Sequence, residues 1–142
     1  MHPATKCENV VQGHPGDWAT DGEGTGAWIQ LNFDKDYTID QIDIKHRSNG
    51  MEPEREMFKD VSIAFPNGKN VNFTLNNIPF TKGLVWNKLK LPKKFVTDQV
   101  KITALSVHNI RHWNNGFSDI RFYGPSEGKS SLWHKNTYNM TE

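Results

Sequence analysis

Apolar and polar residues alternate with a period of two along most of this chain, and no segment sustains the 3.6-residue apolar period of an amphipathic helix. The alternating runs are short and are separated by residues that favour turns. They cover 28–33, 37–47, 61–65, 71–75, 85–91, 100–105 and 117–123. Short strands at regular spacing are typical of sandwiches and barrels. We therefore predict an all-β fold, an antiparallel jelly-roll β-sandwich of about eight strands with little helix.

Two regions allow more specific predictions. Ile39, Ile42 and Ile44 belong to one run, but their spacing lets all three face the core only if the strand has a bulge near Asp40. Residues 66–69 read Pro-Asn-Gly-Lys, a sequence that favours a tight turn. This turn predicts a hairpin between the runs 61–65 and 71–75.

Length and composition limit the classes of protein to consider. The chain has 142 residues and a formal net charge of +1, which suits one domain with one core and leaves no electrostatic footprint for nucleic acid. No apolar run approaches the ~18 residues of a membrane span. Because the net charge also gives no attraction toward anionic lipid, a membrane partner is not expected. Cys7 is the only cysteine, which excludes an internal disulfide and a multi-cysteine zinc site. Because the chain becomes polar after Gly124, we predict a domain over 1–124 and a tail or linker over 125–142, with Trp133 and Tyr138 as candidates for docking on the domain.

The sequence has no motif that indicates an enzyme. It lacks a nucleophile elbow, a phosphate-binding loop and a His-Glu-x-x-His zinc motif. Paired carboxylates can hydrolyse glycosides, but Asp21 and Glu23 stand among glycines at a strand junction, where a structural ion fits better. We therefore predict that this chain is not an enzyme.

Two segments near opposite ends of the domain resemble one family. Residues 21–31 read Asp-Gly-Glu-Gly-Thr-Gly-Ala-Trp-Ile-Gln-Leu, and 116–124 read Gly-Phe-Ser-Asp-Ile-Arg-Phe-Tyr-Gly. They resemble the opening and the closing strand of the galactose-binding-like superfamily, which includes discoidin, coagulation-factor C-type and sugar-binding domains. The resemblance covers 7–124 and is closest to the carbohydrate-binding branch. Cys7 has no partner near Gly124, which disfavours the coagulation-factor branch, where a disulfide often ties the ends.

The resemblance implies a structural calcium ion. Since the first and last strands of an antiparallel sandwich often pair, the two segments can bring Asp21 and Asp119 together. Sugar-binding members hold calcium with the Asp of the Asp-Gly turn and an acidic residue near the end. Calcium takes about six to eight oxygen ligands, and the side chains expected to supply them are Asp21, Glu23, Thr25 and Asp119. The alternative is that Asp21 caps a turn while Asp119 pairs with Arg121 or Lys101.

The same resemblance places a ligand site on loops at one end of the sandwich. Sugars are bound by an aromatic platform together with polar side chains, because a pyranose has an apolar face and a rim of hydroxyl groups. Loops 48–59 and 108–115 carry such groups. The candidate ligand-binding residues are His46, Arg47, Asn49, Arg111, Trp113 and Asn114. As alternatives, Trp113 covers the end of the barrel, Arg47 pairs with Glu52 or Glu54, and the histidines are ordinary surface residues.

These observations lead to one principal hypothesis and one alternative. The principal hypothesis is a non-catalytic recognition module, a lectin-like domain that binds a glycan or glycoprotein and uses structural calcium as its cofactor. The alternative is a discoidin-type module that binds a protein partner or phospholipid, in adhesion or as an intracellular scaffold. In either case we expect a module of a larger chain. An extracellular or cell-surface location is expected for the first hypothesis, and an intracellular one is open for a scaffold.

Overall fold

The structure is a computed structural model, and it describes residues 10, 18–19, 24–47, 57–78, 85–108, 115–125 and 138–141. Within these residues the chain forms seven strands and no α-helix. The strands are β1 Trp18–Ala19, β2 Trp28–His46, β3 Asp60–Ala64, β4 Asn70–Thr74, β5 Asn87–Ala104, β6 Gly116–Tyr123 and β7 Tyr138–Thr141. All of their pairings are antiparallel. No helix in this part of the chain is long and apolar enough to cross a membrane.

The two longest strands build both layers of the sandwich. β2 has 19 residues and β5 has 18, and a straight strand of that length would extend about 60 Å. Both strands bend instead, and their pairing shifts register between Asn32 and Tyr37. The first half of β2 lies in a sheet with β7, the second half of β5, β3 and β4. The second half of β2 lies in the other sheet, between β6 and the first half of β5, and β1 pairs with the outer edge of β6.

Because both long strands fold back, the sandwich has two different ends. At the bend end, β2 and β5 cross from one sheet to the other and the β3–β4 hairpin makes its turn. At the loop end lie both ends of β2, both ends of β5 and the start of β6. Loops are free to vary at such an end. Two of the candidate ligand-binding residues, His46 and Arg47, lie there, where β2 ends.

Aromatic side chains from both sheets meet in the core. Phe33 of the first sheet packs edge-on against Phe122 of the second, with ring centroids 5.1 Å apart. Trp18 of β1 contacts both Phe58, two residues before β3, and Phe117 of β6, with ring centroids 5.9 and 5.5 Å away. All of these rings except Phe33 are almost fully buried, so the hydrophobic effect joins the two sheets along the whole height of the sandwich.

The sequence predictions for this fold are confirmed in outline and corrected in two details. The all-β antiparallel sandwich is confirmed, and the bulge predicted near Asp40 is the register shift between Ile39 and Gln41, which leaves Ile39, Ile42 and Ile44 fully buried. The runs 28–33 and 37–47 form one strand, and so do 85–91 and 100–105, because backbone pairing continues around the bend.

The expected pairing between the run 28–33 and the run 117–123 is wrong, because each run pairs with other strands. β6 pairs with residues 41–46 of β2 and with β1, and the run 28–33 pairs instead with β5 and β7. The strand β7 lies in the segment predicted as a tail or linker, where Tyr138 pairs with Phe33 at the edge of the first sheet. The domain boundary at Gly124 stays a prediction.

Candidate functional site

The loop end gathers polar side chains from four separate parts of the chain. β2 ends at His46 and Arg47, β4 leads into Asn76, β5 begins at Asn87, and the segment after β5 reaches His108. Hydrogen bonds hold these segments in place: the His108 amide donates to the Met57 carbonyl at 3.0 Å, and the Asn76 amide donates to Oδ1 of Asn87 at 2.8 Å. The side chains that follow are therefore held by strands rather than by free loops.

His46 is the more enclosed of the two predicted ligand contacts that the structure describes, with 4% of its surface exposed. Its Nε2 lies 2.8 Å from the carbonyl oxygen of Asn76. Since a carbonyl oxygen only accepts hydrogen bonds, Nε2 carries the proton and Nδ1 presents a lone pair. Nδ1 is buried and has no hydrogen-bond partner among the residues that the structure describes. Burial lowers the pKa of His46 and outweighs the Asn76 hydrogen bond, which acts in the opposite direction, so the ring is neutral at pH 7.

A second histidine supports the first. The rings of His46 and His108 meet edge to face, with centroids 6.4 Å apart, and Nε2 of His108 lies 3.0 Å from the Leu75 carbonyl. The segment that supplies both carbonyls is itself fixed, because the Asn76 amide donates to Oδ1 of Asn87 at 2.8 Å. Asn87 also donates through Nδ2 to the Ile44 carbonyl at 3.2 Å. These bonds orient the His46 ring and keep Nδ1 in one direction.

The other predicted ligand contacts are placed only in part. Arg47 is 8% exposed and therefore buried beside His46 at the end of β2. The remaining four lie outside the described residues: Asn49, Arg111, Trp113 and Asn114. The loop that carries three of them ends at Asn115, which is completely buried at the start of β6. The described residues on either side of that loop are His108 and Asn115.

Sequence reasoning missed three residues that shape this end: Asn76, Asn87 and Asn115. None of them belongs to a motif, and asparagine is common in turns. Asn87 follows the half-exposed Trp86 at the start of a strand. Nothing in the sequence around it indicates that its side-chain amide will hydrogen-bond to two neighbouring segments. Their roles depend on pairings between residues that are distant in sequence.

Of the four predicted metal ligands, Asp21 and Glu23 lie outside the described residues. Thr25 is exposed in the turn before β2, next to Gly26, whose amide donates to the Ala104 carbonyl at 2.8 Å. Asp119 lies in β6 and is 9% exposed. Within the described ranges, no group of three or more metal-binding side chains comes together.

The surroundings of Asp119 fit the alternative as well as an ion. Its Oδ2 accepts a hydrogen bond from Arg121 at 3.2 Å, and Lys45 lies opposite it on β2. Both cations also lie over the Trp86 ring, at 4.2 Å for Lys45 and 5.1 Å for Arg121. Burial raises the pKa of Asp119, and Arg121 acts in the opposite direction. Oδ1 is buried without a hydrogen-bond partner among the described residues, and this free oxygen is the one feature that suits a cation ligand.

The fold matches solved structures over most of its length. The family 32 carbohydrate-binding module of NanJ from C. perfringens, in complex with galactose, aligns with a TM-score of 0.67 at 14% identity, over 85% of this chain and 86% of that one. The F5/8 type C domain of a Bacteroides fragilis protein aligns with a TM-score of 0.66 at 15% identity, over 86% and 82%. The GH31 module CBM32-2 bound to GalNAc aligns with a TM-score of 0.59 at 17% identity, over 86% and 89%.

At these identities the likeness establishes the fold alone, and this fold is the β-sandwich that the sequence resemblance implied. The structural neighbours are carbohydrate-binding modules and discoidin-like domains. The comparison with curated proteins gave no match. One family model, described as a domain of unknown function (DUF7402), matches residues 1–123. By this match, which spans most of the sequence, the chain belongs to the DUF7402 family.

Proposed function

We propose that this chain is a non-catalytic glycan-binding module whose sugar site lies at the loop end. The observation that carries the proposal is the setting of His46: a neutral imidazole, held through Nε2, whose buried Nδ1 has no hydrogen-bond partner among the described residues. A buried acceptor without a partner costs free energy. A hydroxyl group of a bound sugar would donate to Nδ1 and remove that cost.

The remaining contacts would come from the loops around His46. A sugar needs an aromatic surface for its apolar face, and Trp113 would supply it. Arg47 and Arg111 would donate to ring and hydroxyl oxygens, and Asn49 and Asn114 would both donate and accept. Galactose and GalNAc are the first sugars to test, because two of the structural neighbours named above are described in complex with them.

We expect the affinity for one sugar to be weak. A shallow site between loops buries little area, and only the surplus over the loss of translational freedom appears as binding free energy. Useful binding would then come from several copies acting together on one surface. This fits a module within a larger extracellular or cell-surface protein, which is part of the proposal.

Calcium is a separate part of the proposal. The ion would bind Oδ1 of Asp119 together with Asp21, Glu23 and Thr25, and it would fix the loop before β2. The support from the described residues is limited to the free Oδ1. Arg121 already neutralises the other oxygen, so the sugar site is proposed independently of the ion.

Two substitutions of His46 test the acceptor role. Glutamine places an amide nitrogen near the position of Nε2, so His46→Gln keeps the donor to Asn76 and removes the acceptor at Nδ1. Asparagine instead places its amide group near Nδ1, so His46→Asn keeps an acceptor there and loses the bond to Asn76. With galactose or GalNAc in an NMR titration, we expect His46→Gln to keep the fold and weaken binding about tenfold, the usual effect of one lost hydrogen bond.

Comparison of the two variants decides the role of the ring. Weaker binding by His46→Gln at unchanged thermal stability supports the proposal. Unchanged binding by His46→Gln, with a loss confined to His46→Asn, would show that His46 only supports the fold. If neither variant nor the native chain binds any sugar but the native chain captures protein or phospholipid, the alternative hypothesis replaces this one.

A further inference from the structure

The bend end contains a groove that the proposed sugar site does not use. It has a volume of about 240 Å³ and lies between the β3–β4 turn and the bends of β2 and β5. Its lining is mixed in chemistry, and it consists of Asp36, Phe65, Pro66, Asn67, Lys93, Lys94, Phe95, Val96, Thr97 and Asp98. We call it the bend groove. It is formed by the backbone bends that produce the two sheets, so its shape follows from the fold itself.

Both walls of the bend groove are held firmly. In the β3–β4 turn, the Phe65 amide donates to the Lys69 carbonyl at 2.9 Å and the Lys69 amide donates to Oδ1 of Asn67 at 3.0 Å. On the β5 side, Thr97 Oγ1 donates to the Gln99 carbonyl at 2.7 Å. A site with fixed walls loses little conformational entropy when a ligand binds.

An aromatic stack joins the two walls. The rings of Phe65 and Phe95 are parallel, with centroids 4.0 Å apart and an interplanar angle of 4°. Each is about one twentieth exposed, whereas Val96 beside them is 69% exposed. The groove therefore has an apolar floor and one apolar side chain at its rim.

Lysines concentrate positive charge at one side of this floor. Lys93 lies over the Phe95 ring at 5.3 Å, and Lys94 lines the groove beside it. The neighbouring Lys69 side chain lowers the pKa of Lys93. None of the three lysines forms an ion pair with a carboxylate in the described part of the chain. Like charges on one side of the groove repel each other, and an anion bound beside them would reduce the repulsion.

Carboxylates line the groove as well, and they discriminate between ligands. Asp36 and Asp98 oppose Lys93 and Lys94, so the net charge of the lining is near zero. A free inorganic anion gains little from such a groove. A sugar that carries an anionic group satisfies both kinds of side chain, because its hydroxyl groups donate to carboxylates while its anion accepts from ammonium groups.

We propose that the bend groove binds an anionic saccharide, with the carboxylate or sulfate of the sugar beside Lys93 and Lys94, which line the groove. The hydroxyl groups of the sugar would donate to Asp36 and Asp98, and its apolar face would rest on Val96. The groove lies at the opposite end of the sandwich from His46, so this inference stands whether or not the loop end binds a neutral sugar.

The test is an NMR titration of the full chain at low salt, observing the amides of Asn67, Gly68 and Val96. The probes are glucuronate, a sulfated glucose, glucose and sodium sulfate. We expect shifts at these amides with glucuronate or the sulfated glucose and only weak shifts with glucose. In the double variant Lys93→Gln/Lys94→Gln the affinity should fall about tenfold, because exposed ion pairs each contribute modestly. The matched control Lys59→Gln/Lys90→Gln removes the same charge elsewhere and should bind like the native chain.

Each other result overturns the proposal. Equal binding of glucose would show that the lysines do not select the ligand. Sodium sulfate binding as tightly as the sugar acids at these amides would reduce the groove to a simple anion site. An equal loss in the control variant would show a general effect of net charge, and absence of shifts with both acids would remove the site. Loss of loop-end binding in Trp113→Ala leaves all of these readouts unaffected, so the two sites can fail separately.

Discussion

The rings of His46 and His108 meet edge to face, 6.4 Å apart, where the two sheets of the sandwich come together at the loop end. Each ring faces a backbone carbonyl of the segment after β4, at Asn76 and at Leu75. One segment of two residues thus orients both imidazoles. This relationship fixes the acceptor on which the proposed function depends, and it makes the loop end sensitive to pH.

Stability should fall in mild acid because of His46. Its pKa is lowered below the ordinary value of 6.5, chiefly by burial. The unfolded chain therefore binds more protons than the folded chain just below that pH, and the free energy of unfolding decreases as pH falls from about 6.5. Urea unfolding at about pH 7.5, 6.5 and 5.5 measures this effect. In His46→Gln the decrease should be smaller, and an equal decrease in that variant would contradict the assignment.

Sugar binding should follow the same titration. When His46 takes a second proton, Nδ1 becomes a donor and no longer accepts from a hydroxyl group. We expect affinity for galactose or GalNAc to be constant above about pH 7 and to fall below the pKa of the folded state, which lies under 6.5. Affinity that rises in acid would contradict the neutral-acceptor role.

Two tryptophans that differ in burial should differ in their effect on stability. Trp18 is 1% exposed and contacts both Phe58 and Phe117, so Trp18→Ala should cost about 3–5 kcal/mol of unfolding free energy. Trp28 is half-buried on the outer face of its sheet, under Lys101 at 4.4 Å, so Trp28→Ala should cost about 1 kcal/mol. Denaturant midpoints of the two variants measure the difference, and similar values would show that β1 is not part of the core.

Gly68 should be required for its backbone conformation and not for space. Its φ is +84°, and a Cβ added there would meet no atom within 4 Å. Gly68→Ala should therefore cost about 1–2 kcal/mol from backbone strain alone. Asparagine adopts this conformation more readily than alanine, so Gly68→Asn should cost less. Thermal melts of both variants check the order, and a neutral Gly68→Ala would contradict the strained turn.

Calcium should raise the melting temperature if the proposed ion binds the folded chain. A ligand present at a hundredfold its dissociation constant adds about 2.7 kcal/mol to stability. We expect a chelator to remove this increment from the native chain and from the control Asp40→Asn. In Asp119→Asn the increment should be reduced. An unchanged melting temperature with chelator would remove calcium from the account and leave the ion pair of Asp119 with Arg121 in its place.

Periodicity predicted most strands because each half of the sandwich buries one face. Ile29 and Leu31 are buried while Trp28 and Gln30 are not, as alternation requires. It could not predict that β2 continues around the bend, because the exposed residues 34–36 read as a polar loop. There the strand is identified by its backbone pairing, which side-chain patterns do not encode.

The buried polar side chains of the site were harder to predict from the sequence than the strands. Asp43 alternates with two core isoleucines, yet it is 6% exposed, because Gln41 donates to it at 2.7 Å and neighbouring strands place Lys88 and Arg121 beside it. His46 is buried for a similar reason, because its Nε2 is held by the carbonyl of Asn76, which lies 30 residues away along the chain. Such environments arise from contacts between distant segments, and the sequence around each residue does not contain them.

The most direct test of the central claim is a glycan array that includes galactose- and GalNAc-terminated glycans, probed with a multimeric form of the native chain, Trp113→Ala and Trp28→Ala. A tryptophan at the centre of a binding site contributes about 2 kcal/mol or more, or roughly thirtyfold in affinity. The account predicts binding by the native chain and by Trp28→Ala, and loss of binding by Trp113→Ala. An array without signal for the native chain, or binding by Trp113→Ala equal to that of the native chain, would contradict it.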